Sequence, residues 1–235
     1  MEIKEAIILA GGLGTRLKPS VPGLPKCMAV VNGKPFLSYI IDYYSRQGIQ
    51  KFIFALGYKH GVISAWLKEQ YPSLPVEYTI ENEPLGTGGA IQLAVEKVKE
   101  KTVLILNGDT FFKTDLAVLA AFHTKNASAC TLSLKPMKNF ERYGVVETDE
   151  EGLIQSFKEK NYYPEGLING GVYLLNTGRF RQQKRPAAFS FEKDYLERFF
   201  SAMPMYGCVQ DGYFIDIGIP EDFEQTQKKM KRMSN

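Results

Sequence analysis

The chain has 235 residues, 44% hydrophobic and 23% charged, an ordinary globular composition that can bury a core without disulfide or metal staples. A net charge of +3 is too small to indicate a nucleic-acid partner, and three scattered cysteines with two histidines (His60, His123) suit neither a disulfide framework nor a zinc module. No stretch approaches the ~20 apolar residues of a membrane span, so the expectation is a soluble, cytoplasmic chain with free thiols and no membrane or nucleic-acid partner.

Residues 6–10 read as a continuous β-type run that ends in a glycine loop. Phe36, Leu37, Ile40, Ile41 and Tyr44 share one face of a helix that closes at Gly48. Residues 52–56 are another short buried strand, 62–71 a helix stopped before Pro72, and 76–80 a strand. Ile91, Ala94, Val95 and Val98 form a helical stripe, and residues 103–106 a strand that ends at Asn107-Gly108-Asp109. This alternation predicts an α/β fold, a mixed and mostly parallel sheet flanked by helices.

From about residue 129 the pattern turns antiparallel. Strands are expected at 131–134, 144–147, 153–158 and 168–175, with turn signals between them, then helices near 191–200 and from Pro220. Proline suits the first helical position, and Glu221 and Asp222 suit the positive end of the helix dipole. With no repeat or linker, the reading is a single domain over 1–235, a nucleotide-binding half to about 128 and a smaller mixed-sheet half from about 129. Phe189, Phe191, Tyr195, Phe199 and Phe200 are expected to pack in the core, homo-oligomerisation being left open. Lys228, Lys229, Lys231 and Arg232 read as a solvated helix end.

The first loop carries the most information. Leu9-Ala10-Gly11-Gly12-Leu13-Gly14-Thr15-Arg16 follows a strand, and its glycines let backbone N–H groups form an anion-binding nest. It is not a Walker loop, which needs Lys-Ser/Thr directly after its last glycine. It is not a dinucleotide fingerprint either, because Leu17 stands at the third glycine and Leu56-Gly57-Tyr58 replaces the acid ending the second strand. The longer string, Leu-Ala-Gly-Gly-x-Gly-Thr-Arg-Leu-x-Pro followed by Pro25-Lys26, resembles the signature of the sugar-phosphate nucleotidyltransferases, with Val21 and Cys27 as departures. The resemblance implies a Rossmann-like nucleotide-diphospho-sugar transferase fold and a nucleoside triphosphate wrapped by Leu9, Gly11, Gly12, Gly14 and Thr15. It also implies Arg16 on the β/γ-phosphates and Lys26 on the phosphates near the reacting centre. Fixed cations beside a backbone nest are, independently, a physical means of neutralising a triphosphate.

Asp109 ends a strand, and Asp216 sits in Asp216-Ile217-Gly218-Ile219-Pro220-Glu221-Asp222. Each alone reads as a turn or cap residue. The resemblance implies that both hold Mg²⁺, which needs only one or two carboxylates plus phosphate oxygens and water. Tyr143-Gly144, Glu159-Lys160 and Asn169-Gly170-Gly171 resemble the sugar-phosphate site; read alone, Glu159-Lys160 is a solvated charge pair. In Glu81 through Gly89, the implied nucleotide contacts are Glu81, Gly86 and Thr87, together with Gly108 on the next strand. A glutamine would match a pyrimidine, whereas an ionised glutamate only accepts and so suits the N1–H and N2–H₂ of guanine.

The strings Pro84 through Gly89 and Tyr213 through Gly218 look most like guanylyltransferases, and Leu167 through Gly171 resembles the D-glycero-α-D-manno-heptose 1-phosphate enzymes among them. The implied substrates are GTP and a sugar 1-phosphate. Mannose 1-phosphate guanylyltransferases and glucose 1-phosphate uridylyl- or thymidylyltransferases remain alternatives. A non-catalytic subunit on the same fold is expected to lose the acids or Arg16, and this chain has them.

Overall fold

Continuous apolar runs become parallel strands when both faces of the sheet are covered. The computed structural model describes residues 1–12 and 23–231, the last four by backbone alone. In chain order the first half comprises β1 (Glu5–Leu9), β2 (Val30–Val31), β3 (Lys34–Pro35), α1 (Phe36–Arg46), β4 (Lys51–Leu56), α2 (His60–Gln70), β5 (Val76–Ile80), α3 (Gly86–Val95), β6 (Thr102–Asn107), β7 (Thr110–Phe112) and α4 (Leu116–Lys125). The second half comprises β8 (Cys130–Phe140), β9 (Val145–Thr148), β10 (Ile154–Lys158), β11 (Tyr163–Asn176), α5 (Thr177–Gln182), a π-helical stretch Phe191–Leu196 running into α6 (Glu197–Phe199), β12 (Met205–Val209), β13 (Phe214–Asp216) and α7 (Pro220–Lys231). Among the described residues, no helix is long and apolar enough to cross a membrane.

Among the described residues, nine strands form one mixed sheet. Its path is β10-β9-β11-β6-β1-β4-β5, with β8 pairing both β11 and β12. The pairs β1–β4, β1–β6 and β4–β5 are parallel, as is β12–β8, while β11 runs antiparallel to β6, β8 and β9. Side chains alternate cleanly between two cores. Ala6 and Ile8 of β1, Phe52 and Phe54 of β4 and Leu104 and Leu106 of β6 pack on one face with α1 and α2. Ile7, Ile53 and Ile105 pack on the other with α3, Phe191 and Tyr195.

Three differences from the expected elements have local causes. Helix α4 was not anticipated: Asp115 caps it by accepting from Val118 N–H, and Leu116, Leu119, Ala120 and His123 bury one face. The helix expected near 191–200 begins as a π-helical stretch, in which Phe191 and Tyr195 stack. Strands β8 and β11 are longer than their apolar cores because they pair with each other out to Tyr163 and Phe140, with a register shift between Asn169 and Tyr173. Of the aromatic set, Phe189, Phe191 and Tyr195 are buried; Phe199 and Phe200 are partly buried against the same core.

His123 offers a pH probe of this fold. Its Nδ1 lies 2.8 Å from Thr131 Oγ1, and burial, then the nearby Arg179 charge, pushes its pKa down to about 4 from 6.5. The unfolded chain therefore binds more protons between those values, so stability is lost as pH falls from 6.5 through 4, by up to about 3 kcal/mol. His123→Asn is expected to flatten that limb in urea melts across the range. A limb of unchanged slope would assign it to other groups.

Candidate active site

Open α/β sheets receive ligands at the carboxyl ends of their parallel strands. Here the ends of β1, β4, β5 and β6 surround a cavity of about 710 Å³, a size typical of small-molecule sites. Backbone bonds continue beyond the strands and fix its walls. Gly108 N–H donates to the Leu9 carbonyl at 2.9 Å, Ala10 N–H to Ala55 at 2.9 Å, and Glu81 N–H to Leu56 at 2.8 Å. Leu9, Gly11, Gly12, Lys26, Glu81, Gly86, Thr87, Gly108 and Asp109 all line the cavity. Gly14, Thr15 and Arg16 lie outside the described residues.

Two short strands carry the acids together. β7 pairs antiparallel with β13, setting Asp216 opposite Thr110, and Ile217 N–H donates to the Asp109 carbonyl at 3.0 Å. Lys26, on a 3₁₀ turn at the cavity wall, closes the cluster. Its Nζ lies 2.5 Å from Asp109 Oδ2 and 4.0 Å from Asp216 Oδ1. Asp216 also accepts from Gly218 N–H at 2.6 Å, and Tyr143 Oη sits 3.5 Å from its other oxygen. Burial, then the Asp109 charge, pushes the Asp216 carboxyl above its ordinary range, while Lys26 and the Gly218 N–H pull it back. Asp222 is engaged elsewhere, in an ion pair with Arg142.

Two hard-oxygen carboxylates converging on one cation are a donor set that suits Mg²⁺. No cluster of three or more potential metal ligands occurs among the described residues, so phosphate and water would have to complete such a site. The neighbouring thiol is no nucleophile: burial, then the Asp109 charge, pushes Cys27 up to about 12.

At the far wall, Glu81 leaves the end of β5. Its Oε2 accepts from Leu85 N–H at 2.9 Å, which fixes the carboxylate, and burial raises its pKa against that bond. Gly86, at φ +70°, has a packing role: a Cβ there would lie 2.5 Å from the Phe189 carbonyl, so the glycine admits the 189–191 segment against α3. The Thr87 hydroxyl accepts from Phe191 N–H at 2.8 Å and donates to Glu192 at 2.8 Å, and so faces protein partners on both counts.

The sugar-side residues divide. Asn169 donates to Tyr173 Oη at 2.9 Å and accepts from Gly171 N–H at 3.0 Å. Gly171, at φ +71° in the irregular part of β11, lies against Asn107: a Cβ there would come within 2.8 Å of Asn107 Nδ2, so the bulge abuts the cavity wall. Gly144 leads into β9 beside Tyr143. Glu159 and Lys160 instead stand exposed beyond the end of β10 and are not among the residues lining the cavity, with Glu159 3.7 Å from Lys193.

Sequence reasoning missed Asn107. Asn107 lines the cavity with a buried Oδ1 that has no hydrogen-bond partner among the described residues. Its place directly before Gly108-Asp109 was the available signal.

Comparison with known proteins agrees with this geometry. The nucleotidyl transferase family model matches residues 5–233. The chain is 49% identical over 227 residues to D-glycero-alpha-D-manno-heptose 1-phosphate guanylyltransferase of Aneurinibacillus thermoaerophilus, covering 97% of this chain and 98% of that one. The enzyme of the same name from Campylobacter jejuni subsp. jejuni serotype O:2 is 46% identical, with 93% and 96% covered. The crystal structure of HddC from Yersinia pseudotuberculosis complexed with GMP-PN superposes with a TM-score of 0.86 at 36% identity, covering 97% of this chain and all of that one. The chain belongs to the nucleotidyl transferase family.

Proposed function

We propose that this chain is a D-glycero-α-D-manno-heptose 1-phosphate guanylyltransferase of the cytoplasm, using GTP and Mg²⁺ to make a GDP-sugar and pyrophosphate. The observation that carries the reaction type is the convergence of Lys26, Asp109 and Asp216 beside a nucleotide-sized cavity. The heptose and the guanine are carried by full-length similarity to enzymes of that name. The three cysteines are free and buried, as suits a reducing compartment.

In this reading an oxygen of the sugar 1-phosphate attacks the α-phosphorus of GTP in line. A new P–O bond forms, the bond from the α-phosphorus to the bridging oxygen breaks, and pyrophosphate leaves with that electron pair. The nucleophile is already an anion, so no general base is required. The protein's task is to hold two mutually repelling anions in register and to neutralise charge. Mg²⁺ held by Asp109 and Asp216 would supply positive charge to the phosphate oxygens. Lys26 offsets charge near the α-phosphate, and Arg16 is assigned to the leaving pyrophosphate. Tyr143, Gly144, Asn169 and Gly171 are assigned to the sugar, Glu159 and Lys160 to its hydroxyls and phosphate. Glu81 is assigned to the guanine N1–H and N2–H₂.

Pyrophosphate release scored across four nucleoside triphosphates and the 1-phosphates of heptose, mannose and glucose tests the reading. The expected maximum of kcat/KM is GTP with D-glycero-α-D-manno-heptose 1-phosphate, and a maximum at another base or sugar rejects that assignment. Glu81→Gln is expected to lower kcat/KM for GTP by about 10–100-fold, the worth of a two-point base contact, and to narrow the preference over UTP. Unchanged discrimination would remove Glu81 from base reading.

A further inference from the structure

The segment entering the π-helical stretch runs along the first turn of α3. Phe189 N–H donates to the Leu85 carbonyl and its own carbonyl accepts from Gly88 N–H, both at 2.9 Å. It ends at Glu192, which no motif singles out. Thr87 Oγ1 donates to Glu192 Oε2 at 2.8 Å and Ser190 Oγ to the same oxygen at 3.2 Å, while Tyr173 Oη approaches Oε1 at 3.5 Å. Tyr173 Oη in turn accepts from Asn169 Nδ2, and Asn169 Oδ1 from Gly171 N–H.

Every donor in this chain points toward the one carboxylate. Asn169 gives to Tyr173, Tyr173 to Glu192, and Thr87 gives to Glu192 from the other side. The Tyr173 side chain is almost wholly buried, and burial, then the Glu192 charge, pushes its phenol well above the ordinary value, so it keeps the proton it donates. With its acceptor fixed, the phenol oxygen turns toward Asn169 as an acceptor. Together with the Gly171 N–H, which requires Oδ1, that holds the Asn169 amide at both ends and leaves its second Nδ2 hydrogen for a ligand. π-Helical turns recur at functional positions, and this one brings together a residue of the nucleotide cavity and a strand assigned to the sugar.

We propose that Glu192 is a positioning residue for the sugar 1-phosphate, orienting the Asn169 amide through Tyr173 while anchoring to the nucleotide-side turn through Thr87. The proposal rests on the nucleotidyltransferase reading above, but not on which sugar is the substrate.

The test uses whichever sugar 1-phosphate the wild-type enzyme turns over fastest. Glu192→Gln replaces one acceptor by a donor and is expected to raise the KM for the sugar 1-phosphate about tenfold, the worth of one hydrogen bond to a charged group, with the KM for GTP within about twofold. Tyr173→Phe is expected to do the same, and because both act through one chain, the double variant is no worse than about tenfold. Thermal melts check that each variant folds. Effects that multiply in the double variant, or that fall on the KM for GTP, overturn the proposal. A wild type without pyrophosphate release for any pair in the matrix overturns the function reading itself, and the proposal with it.

Discussion

Asp109→Asn is expected to lower kcat by about 10²–10³-fold, the usual loss on removing one preorganised electrostatic contact, with the fold intact. The amide keeps the volume and one acceptor oxygen, so the 2.5 Å contact with Lys26 loses its charge and keeps a hydrogen bond. What disappears is a negative charge beside Asp216, the second-largest reason that carboxyl is raised. Folding therefore loses an ion pair and sheds a like-charge repulsion. Since the Asp109 side chain is 37% exposed, the net change in stability is expected to lie within about 1 kcal/mol. Catalysis has no such offset, because with one carboxylate left the site no longer holds a divalent cation between two acids. Pyrophosphate release titrated against Mg²⁺, alongside a thermal melt, separates the two effects. A folded variant that turns over normally at ordinary Mg²⁺ would remove Asp109 from the metal role.

The first half is the more legible because its central strands β1, β4 and β6 are buried on both sides. In β1, β4 and β6 a polar first residue, Glu5, Lys51 or Thr102, is followed by an unbroken apolar run, while neighbours such as Ile7 and Ile8 enter different cores, and an uninterrupted run is what that arrangement looks like in one dimension. α4 escaped notice because its run, Leu116 to Phe122, is almost all Leu, Ala and Val; the Asp115 cap was the better signal. β7 and β13 are three residues each, too short for any periodicity, so the contact that brings Asp216 to Asp109 is tertiary information.

The run Pro84 through Gly89 reads as a nucleotide loop and lies on the cavity, yet Gly86 also answers a packing demand from Phe189. Glu192 was hidden among Lys193, Asp194 and Glu197, where a charge looks like part of a solvated helix face. Its partner Thr87 is 105 residues away in sequence.

Lys26→Met is expected to reduce kcat/KM by about 10²–10³-fold and, unlike Asp109→Asn, to destabilise the metal-free protein. The Lys26 side chain is only 13% exposed, and its ammonium lies within 4.0 Å of both of two acids that repel each other. Removing one partner of a fully buried pair costs roughly 3–5 kcal/mol; because Asp109 is over a third exposed, about 1–3 kcal/mol is expected here.

The pH sense follows from Asp216. A carboxyl already raised in the folded state rises further without the ammonium, so the folded protein binds more protons than the unfolded one above the ordinary carboxylate range. The deficit is therefore largest at neutral and alkaline pH and shrinks as pH falls through the raised value. Two bare carboxylates also make a better cation site, so Mg²⁺ is expected to raise the melting temperature of Lys26→Met by more than it raises the wild type's. Melts at pH 5 and pH 8, with and without Mg²⁺, read both effects without any substrate. A variant equally stable at both pH values and indifferent to Mg²⁺ would mean that the acids do not face a common cation, and the site would lose the electrostatic basis assigned to it.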